Sequence, residues 1–226
     1  MRFPSFGLFE PVPLYRYLKS SRVDQFFGAG TIRLSTFEHC RSLDWGDNNE
    51  GGIRLQMAHE EQQLEMITRL GKRAYLLCLS RQHSTDLQLR YEADEAFRID
   101  DVAGFQDAIS AVVPGFKRSR RAYCLYVRNR TVTRRARGPL NEMNEFFAGQ
   151  AAGTLKNPEE ALNQAWKQIN DRAFATIADE PLFLKPAEYA LEDELRLVWI
   201  VDHNADSPVV VAAPDARRFC SRVGRL

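Results

Sequence analysis

The chain is poor in the residues from which short, self-contained sites are made: its 226 residues hold four cysteines, four histidines and four methionines. Cys40, Cys78, Cys124 and Cys220 stand far apart with no CxxC pair, which excludes a zinc ribbon or a thioredoxin-like motif built from local spacing and leaves buried free thiols as the expectation. His39-Cys40 would point its two donors to opposite sides of an extended chain, and His59-Glu60-Glu61 lacks the second histidine that a zincin helix requires, so no metal is assigned. No run approaches the roughly eighteen apolar residues of a membrane span. The start MRFPSFGLFEPVP lacks the basic-then-apolar order of a secretory signal, so a cytoplasmic protein without a membrane partner is expected. Gly-rich loops are missing as well. Gly28-Ala29-Gly30 precedes a strand pattern instead of opening a helix, which removes a Rossmann fingerprint and a P-loop, and there is no GxSxG elbow.

What is present is a chain of 44% hydrophobic and 27% charged residues, enough for one well-buried core, and a single compact domain over 1–226 is expected. The net charge is only +1, yet positive charge is concentrated. Between 117 and 137 lie Lys117, Arg118, Arg120, Arg121, Arg128, Arg130, Arg134, Arg135 and Arg137 with no acid among them. Arginines interleaved with Tyr123 and Tyr126 suit phosphate contacts with base stacking, which makes Arg128, Arg130, Arg134, Arg135 and Arg137 candidate contacts to nucleic acid or another polyanion. The alternative is a solvated strand pair whose arginines meet acids elsewhere, such as Asp94, Glu95, Asp100 and Asp101.

The order of elements reads as mixed α and β. Residues 14–18 and 31–36 read as strands flanking a short helix through Val23, Phe26 and Phe27, capped by Ser20 or Ser21 and stopped by Gly28 and Gly30. Residues 44–52, DWGDNNEGG, have the composition of turns; Asp44, Asp47 and Glu50 would suit a hard cation, although their spacing is not that of an EF-hand. Residues 59–70 suit either a helix with Leu64, Ile67 and Leu70 or a hairpin strand, and 74–79 is a buried strand. A helix follows Asp100 or Asp101 and stops by Pro114, a strand covers 123–127, and a further helix lies near 140–147. Asn157-Pro158-Glu159-Glu160 opens a helix with Leu162, Trp166 and Ile169 inward. Residues 181–184, 195–201 and 209–212 complete an α+β pattern as strands.

Three motifs set polar groups inside apolar runs: Leu14-Tyr15-Arg16-Tyr17, Arg33-Leu34-Ser35-Thr36 and Glu192-Asp193-Glu194-Leu195-Arg196. An unpaired charge there would cost several kcal/mol, so the motifs either meet at a shared polar site or hide an ion pair between Arg16 and a glutamate. A split antiparallel β core with the strands of Arg16 and Glu194 side by side would reconcile the charges.

Taken in order, LYRYL, GTIRLST, AYLLCLS and FLKPAEYALEDELRLVW resemble a bacterial protein family with an LYKY-like start, a CxS strand and a K-P-x-x-Y-x-x-E-x-E-x-R ending. That family looks like a remote branch of the ADP-ribosyltransferase superfamily. The likeness covers the first forty residues and about twenty near the end; Phe37 stands where arginine-modifying toxins carry a second serine. It implies a split antiparallel β core of ADP-ribosyltransferase type with flanking helices, and NAD as a substrate. Arg16 would hold the pyrophosphate or ribose, Tyr15 or Tyr17 would stack on nicotinamide, and Ser35 or Thr36 would brace the first strand. Glu194 would stabilise the oxocarbenium-like transition state and Glu192 would orient the acceptor. The resemblance further implies a toxin or antiphage effector that modifies a macromolecule such as nucleic acid, held in check by a neutralising partner protein. Two other readings stand beside it: a non-catalytic nucleic-acid- or protein-binding module on a degenerate transferase scaffold, and a metal-dependent nuclease using Asp44, Asp47 and Glu50.

Overall fold

A computed structural model describes residues 13–43, 46–135, 142–176 and 179–224. In chain order the elements begin β1 (Leu14–Leu18), α1 (Ser20–Ala29), β2 (Thr31–Thr36), α2 (Phe37–Arg41), β3 (Gly52–His59), β4 (Gln62–Arg69), β5 (Ala74–Ser80) and α3 (Thr85–Arg90). Then come β6 (Glu95–Ile99), α4 (Val102–Ser110), β7 (Phe116–Tyr123), β8 (Leu125–Val127), β9 (Thr131–Arg135), α5 (Glu142–Ala151) and α6 (Pro158–Thr176). Last are β10 (Leu184–Pro186), β11 (Glu194–Val201), β12 (Val209–Ala212) and β13 (Cys220–Gly224), with single 3-10 turns over Glu180–Phe183, Ala187–Glu192 and Pro214–Phe219. The architecture is α+β. Where the sequence suggests one domain, the residues group into two compact units: Met1–Gly51 with Arg69–Arg128 and Leu182–Leu226, and Gly52–Thr68 with Asn129–Pro181. Among the described residues no helix is long and apolar enough to cross a membrane.

The first unit is built on β5. Its sequence AYLLCLS is apolar on both faces, as a central strand requires, and β11 covers one whole edge of it from Ala74 to Ser80. The other edge is shared. β2 pairs with Tyr75 and Leu76, β1 pairs with Ser80, and the sheet is split between them. The full antiparallel order is β12-β2-β5-β1-β6-β13, with β11 and then β7 on the far side of β5. Tyr75, Leu77, Leu79, Leu197 and Trp199 face a core closed by Phe26 of α1, Phe97 of β6 and Phe105 of α4. The opposite face gathers Phe37, Leu76, Val198, Leu182 and Phe183.

Arg16 and Glu194 are therefore not on neighbouring strands, since β5 runs between β1 and β11. Each is hydrogen-bonded without the other. Arg16 Nη1 donates to the Cys78 carbonyl at 2.8 Å, at the stretch of β5 edge that neither β1 nor β2 covers.

Several local expectations change. α1 begins at Ser20, but no side chain of its own first turn caps it; Asp94 Oδ2 accepts from Ser20 N at 3.1 Å instead. The stretch 62–69 is a strand of alternating exposure, with Ile67 74% exposed, so the hairpin reading holds over the helix. Residues 180–183 form a 3-10 turn and not a strand. The basic stretch before Cys124 is already strand, because β7 lies along β11, and at Cys124 the chain leaves β11 so that β8 can pair in parallel with β10.

In the second unit β3 lies between β4 and, in parallel, β9, while α5 packs on α6. Asn157 Oδ1 accepts from Glu160 N and its Nδ2 donates to Glu160 Oε2, both at 3.3 Å, a reciprocal cap ahead of Pro158. Trp166, expected inward, is 41% exposed.

Gly30 closes α1 at φ +71, and a Cβ there would lie 2.4 Å from Pro214 Cα. Gly30→Ala should cost more than the ~1–2 kcal/mol of a left-handed residue alone. Gly28→Ala, inside the same helix with nothing within 4 Å of its Cβ, should stabilise by ~0.5–1 kcal/mol. Urea unfolding of the two variants checks both signs.

Candidate functional site

A cleft of about 350 Å³ opens in the first unit where β1 and β2 part, a volume at the lower end of small-molecule sites. Arg16 and Tyr15 reach it from β1, Ser35 from β2, Cys78 from β5, and Glu192 and Glu194 from the approach to β11. Three motifs that are far apart in the chain thus line one cleft.

The acidic side of the cleft is a chain of alternating charge. Glu50 Oε1 accepts from Arg196 Nη1 at 2.9 Å, and Arg196 Nε donates to Glu194 Oε1 at 2.8 Å. Glu194 Oε2 accepts from Lys185 Nζ at 2.6 Å; the same ammonium binds Glu192, whose Oε1 also accepts from Arg90 Nε at 3.1 Å. Three carboxylates meet three cations, and apart from Arg90 the side chains are buried. The Arg196 guanidinium also donates to the Leu182 carbonyl and lies over the Phe37 ring.

This environment drives the two glutamates apart. Burial alone would raise the Glu194 pKa, but Arg196 and Lys185 hold it well below the usual carboxylate range. At Glu192 burial wins: it raises the pKa despite Lys185, and the Glu194 charge adds to the rise. Two nearby carboxyls set to opposite sides of the ordinary value are the arrangement that separates an ionised stabiliser from a proton carrier.

Backbone detail aims them. Asp193 between the glutamates sits at φ +43, a conformation that costs a non-glycine residue, and Arg81 holds it with a two-pronged grip in which Nε donates to Oδ2 at 2.9 Å. Glu194 N donates to Tyr126 Oη at 2.8 Å, and Glu194 O accepts from Cys124 N at 2.8 Å.

The expected residues are not all free for a ligand. Tyr15 lines the cleft but is already stacked on His83, with ring centroids 4.8 Å apart. Tyr17 also lines it, yet its hydroxyl is spent on residues 82–84, donating to Gln82 O at 2.6 Å and accepting from Ser84 N at 2.7 Å. Thr36 points away from the cleft: it is 1% exposed, and its Oγ1 accepts from His39 N at 3.0 Å as the cap of α2. Burial pushes the Cys40 thiol up to about 12 and Cys78 also upward, so neither is a thiolate near neutrality.

The basic run divides between the units, with Lys117 to Arg128 in the first and Arg130, Arg134 and Arg135 in the second; Arg137 lies outside the described residues. Arg128 and Arg135 are exposed, and Arg134 is half-buried. The acids suggested as partners are engaged elsewhere: Asp94 with Lys19, Glu95 with Arg222, Asp100 with Arg98, and Asp101 as the cap of α4. Of the suggested cation ligands, Asp44 lies outside the described residues, Glu50 is bound to Arg196, and Asp47 Oδ1 accepts from Asn49 N at 3.0 Å.

Sequence reasoning missed Lys185 and Arg90, although Lys185 is the lysine of the quoted K-P-x-x-Y-x-x-E-x-E-x-R stretch. It also missed Arg22, named Arg33 only as part of the Arg33-Leu34-Ser35-Thr36 motif and considered His39 only as a metal donor; all three line the cleft with Arg16. His39 Nε2 lies 3.0 Å from Arg33 Nη2, and since a guanidinium only donates, the imidazole accepts there. Burial and Arg33 both lower the His39 pKa, which favours this neutral form.

Comparison with protein-family models, curated proteins and solved structures finds no match to the chain.

Lys185→Met would leave two buried carboxylates facing each other and should destabilise the protein by ~3–5 kcal/mol in urea unfolding. Because the folded-state Glu194 pKa is depressed, its contribution is present above the unfolded value of ~4.3 and lost as pH falls further. Acid titration followed by circular dichroism should therefore show loss of structure beginning below about pH 4, and at higher pH in Lys185→Met, where Glu194 keeps one cation in place of two.

Proposed function

We propose that the chain is an NAD-dependent ADP-ribosyltransferase that modifies a macromolecule, with a fold of the ADP-ribosyltransferase type. The observation that carries this reading is the meeting of Arg16, Ser35, Glu192 and Glu194 around one cleft at the split of the sheet. In the proposed reaction the bond between ribose C1′ and the nicotinamide nitrogen breaks, and nicotinamide leaves neutral with the bonding electrons. Glu194, ionised, offsets the charge that develops on the ribose. The acceptor's nucleophilic atom bonds to C1′ and passes its proton to Glu192, whose raised pKa suits it to that task. A nucleic-acid acceptor, guided by the arginines between 117 and 137, and a role as a toxin or antiphage effector belong to the same proposal.

A second reading has its own observation. Both Glu194 oxygens are taken by cations, Arg196 at 2.8 Å and Lys185 at 2.6 Å, which weakens the carboxylate as an electrostatic stabiliser and suits a binding module without turnover.

The test is nicotinamide release from NAD and transfer of labelled ADP-ribose, with cell extract supplying acceptors. Glu194→Gln should lower release by about a hundredfold or more while NAD still binds, with circular dichroism reporting whether the variant stays folded. Wild-type protein that binds NAD without releasing nicotinamide would favour the binding module, and wild-type protein that binds no NAD would end the enzyme reading.

A further inference from the structure

The three-stranded sheet of the second unit has a long open edge. β3 lies inside the sheet, and among the described residues β4 pairs with β3 alone. Glu60 and Glu61 make a two-residue turn between these strands, so the residues flanking the turn form a hydrogen-bonded pair and every second residue of β4 follows in the same phase. Gln62, Leu64, Met66 and Thr68 thus spend their backbone groups on β3. Leu70 N, next in that phase, donates to Gly51 O at 2.8 Å. Gln63, Glu65, Ile67 and Arg69 turn their N–H and C=O groups away from β3, where they form a template for another strand.

Side chains leave this edge unguarded. Its sequence QQLEMITR holds no proline, glycine or lysine, the residues that commonly blunt a free strand. Ile67 is 74% exposed, and Leu64 and Met66 on the other face stay half-buried, whereas Ile53, Leu55 and Met57 of β3 are buried. The two charges of β4 stand two positions to either side of Ile67 and have opposite sign: Glu65 before it and Arg69 after it, both exposed. Glu65 Oε1 meets Arg54 at 3.1 Å and its Oε2 accepts from Gln56 Nε2 at 3.0 Å, which leaves the carboxylate lone pairs for a further cation.

We infer that β4 pairs with β4 of a second copy of this chain, antiparallel about a two-fold axis at Ile67. In that register Ile67 meets its own counterpart, and Glu65 lies opposite Arg69 of the second copy at both ends of the pair. All of these are residues whose backbone groups turn outward, as a hydrogen-bonded pairing needs. On the other face Met66 meets Thr68 and Leu64 meets Leu70 of the second copy. Charge selects this register over its neighbours. Centring on Glu65 or Arg69 would oppose like charges, and centring on Met66 or Thr68 would set a charge against Ile67. A second copy fits better than a foreign strand because one sequence supplies both halves of the match. Eight residues a side is far below the ~20–30 of a standard interface, so the dimer is weak and depends on concentration.

The experiment is sedimentation equilibrium of the full chain from about 5 to about 300 μM, the range in which small interfaces associate. Wild type should rise from monomer mass toward dimer mass. Ile67→Lys places two ammonium groups at the axis, at a position already in solvent, and should weaken association at least tenfold. Arg69→Glu alone and Glu65→Arg alone each oppose like charges at both ends and should stay monomeric. Their equal mixture sets carboxylate against guanidinium at both ends and should restore the dimer. Val210→Lys, at a 57% exposed position on the edge strand β12 of the first unit, is the control and should match wild type. Circular dichroism shows that each variant is folded, and amide exchange of wild type needs no variant: Glu65, Ile67 and Arg69 should slow as concentration rises, while Leu64 and Met66 are protected throughout. Monomer mass at every concentration would overturn the inference and leave the edge to a strand of another protein. A dimer that survives Ile67→Lys, a dimer lost in Val210→Lys, a mixture that stays monomeric, or Ile67 exchange that ignores concentration would each overturn it as well.

Discussion

Six side chains of alternating charge, Glu50, Arg196, Glu194, Lys185, Glu192 and Arg90, hold one wall of the cleft together. None of the inner members can be removed without stranding a buried neighbour, and stranded charge is among the costliest defects a core can carry. The chain reaches the surface only at Arg90, so its interior is insulated from the salt screening that weakens exposed pairs. Packing follows from it: the 3-10 turn before Glu192, the left-handed Asp193 and the start of β11 are arranged so that two carboxylates converge on one ammonium.

The same network defines what the cleft offers a ligand. The glutamates of the cleft are matched by the protein's own cations, whereas Arg16 and Arg33 are held by neutral acceptors.

How much of this was legible in the sequence depended on whether the cause was local. AYLLCLS could be read as a central strand because seven residues suffice to show that both faces are buried. The α4 and α6 starts were legible because Asp101 and Asn157 are caps within their own turn. β6 was not, since Glu95 and Arg98 interrupt its apolar run for partners on β13 and in the next turn. The site was legible as three motifs and not as a geometry. The family resemblance pointed to Arg16, Ser35, Glu192 and Glu194, but it could not show that β5 runs between two of them. Nor could it show that Thr36 would be spent on a helix cap or Tyr17 on a loop. Ion partners chosen across the fold, as Lys185 and Arg90 are, leave no period in the chain.

The cap of α1 ties a short helix to a distant part of the chain. Its acceptor, Asp94, lies 74 positions away from Ser20. A ten-residue helix is marginal by itself in water, and this one lacks a local side chain to close its first turn, so its N-terminus is completed only once β6 has been delivered beside β1. The persistence of the segment that carries Arg22 is thus tied to long-range assembly. An excised peptide of the first thirty residues should have little reason to be helical at all.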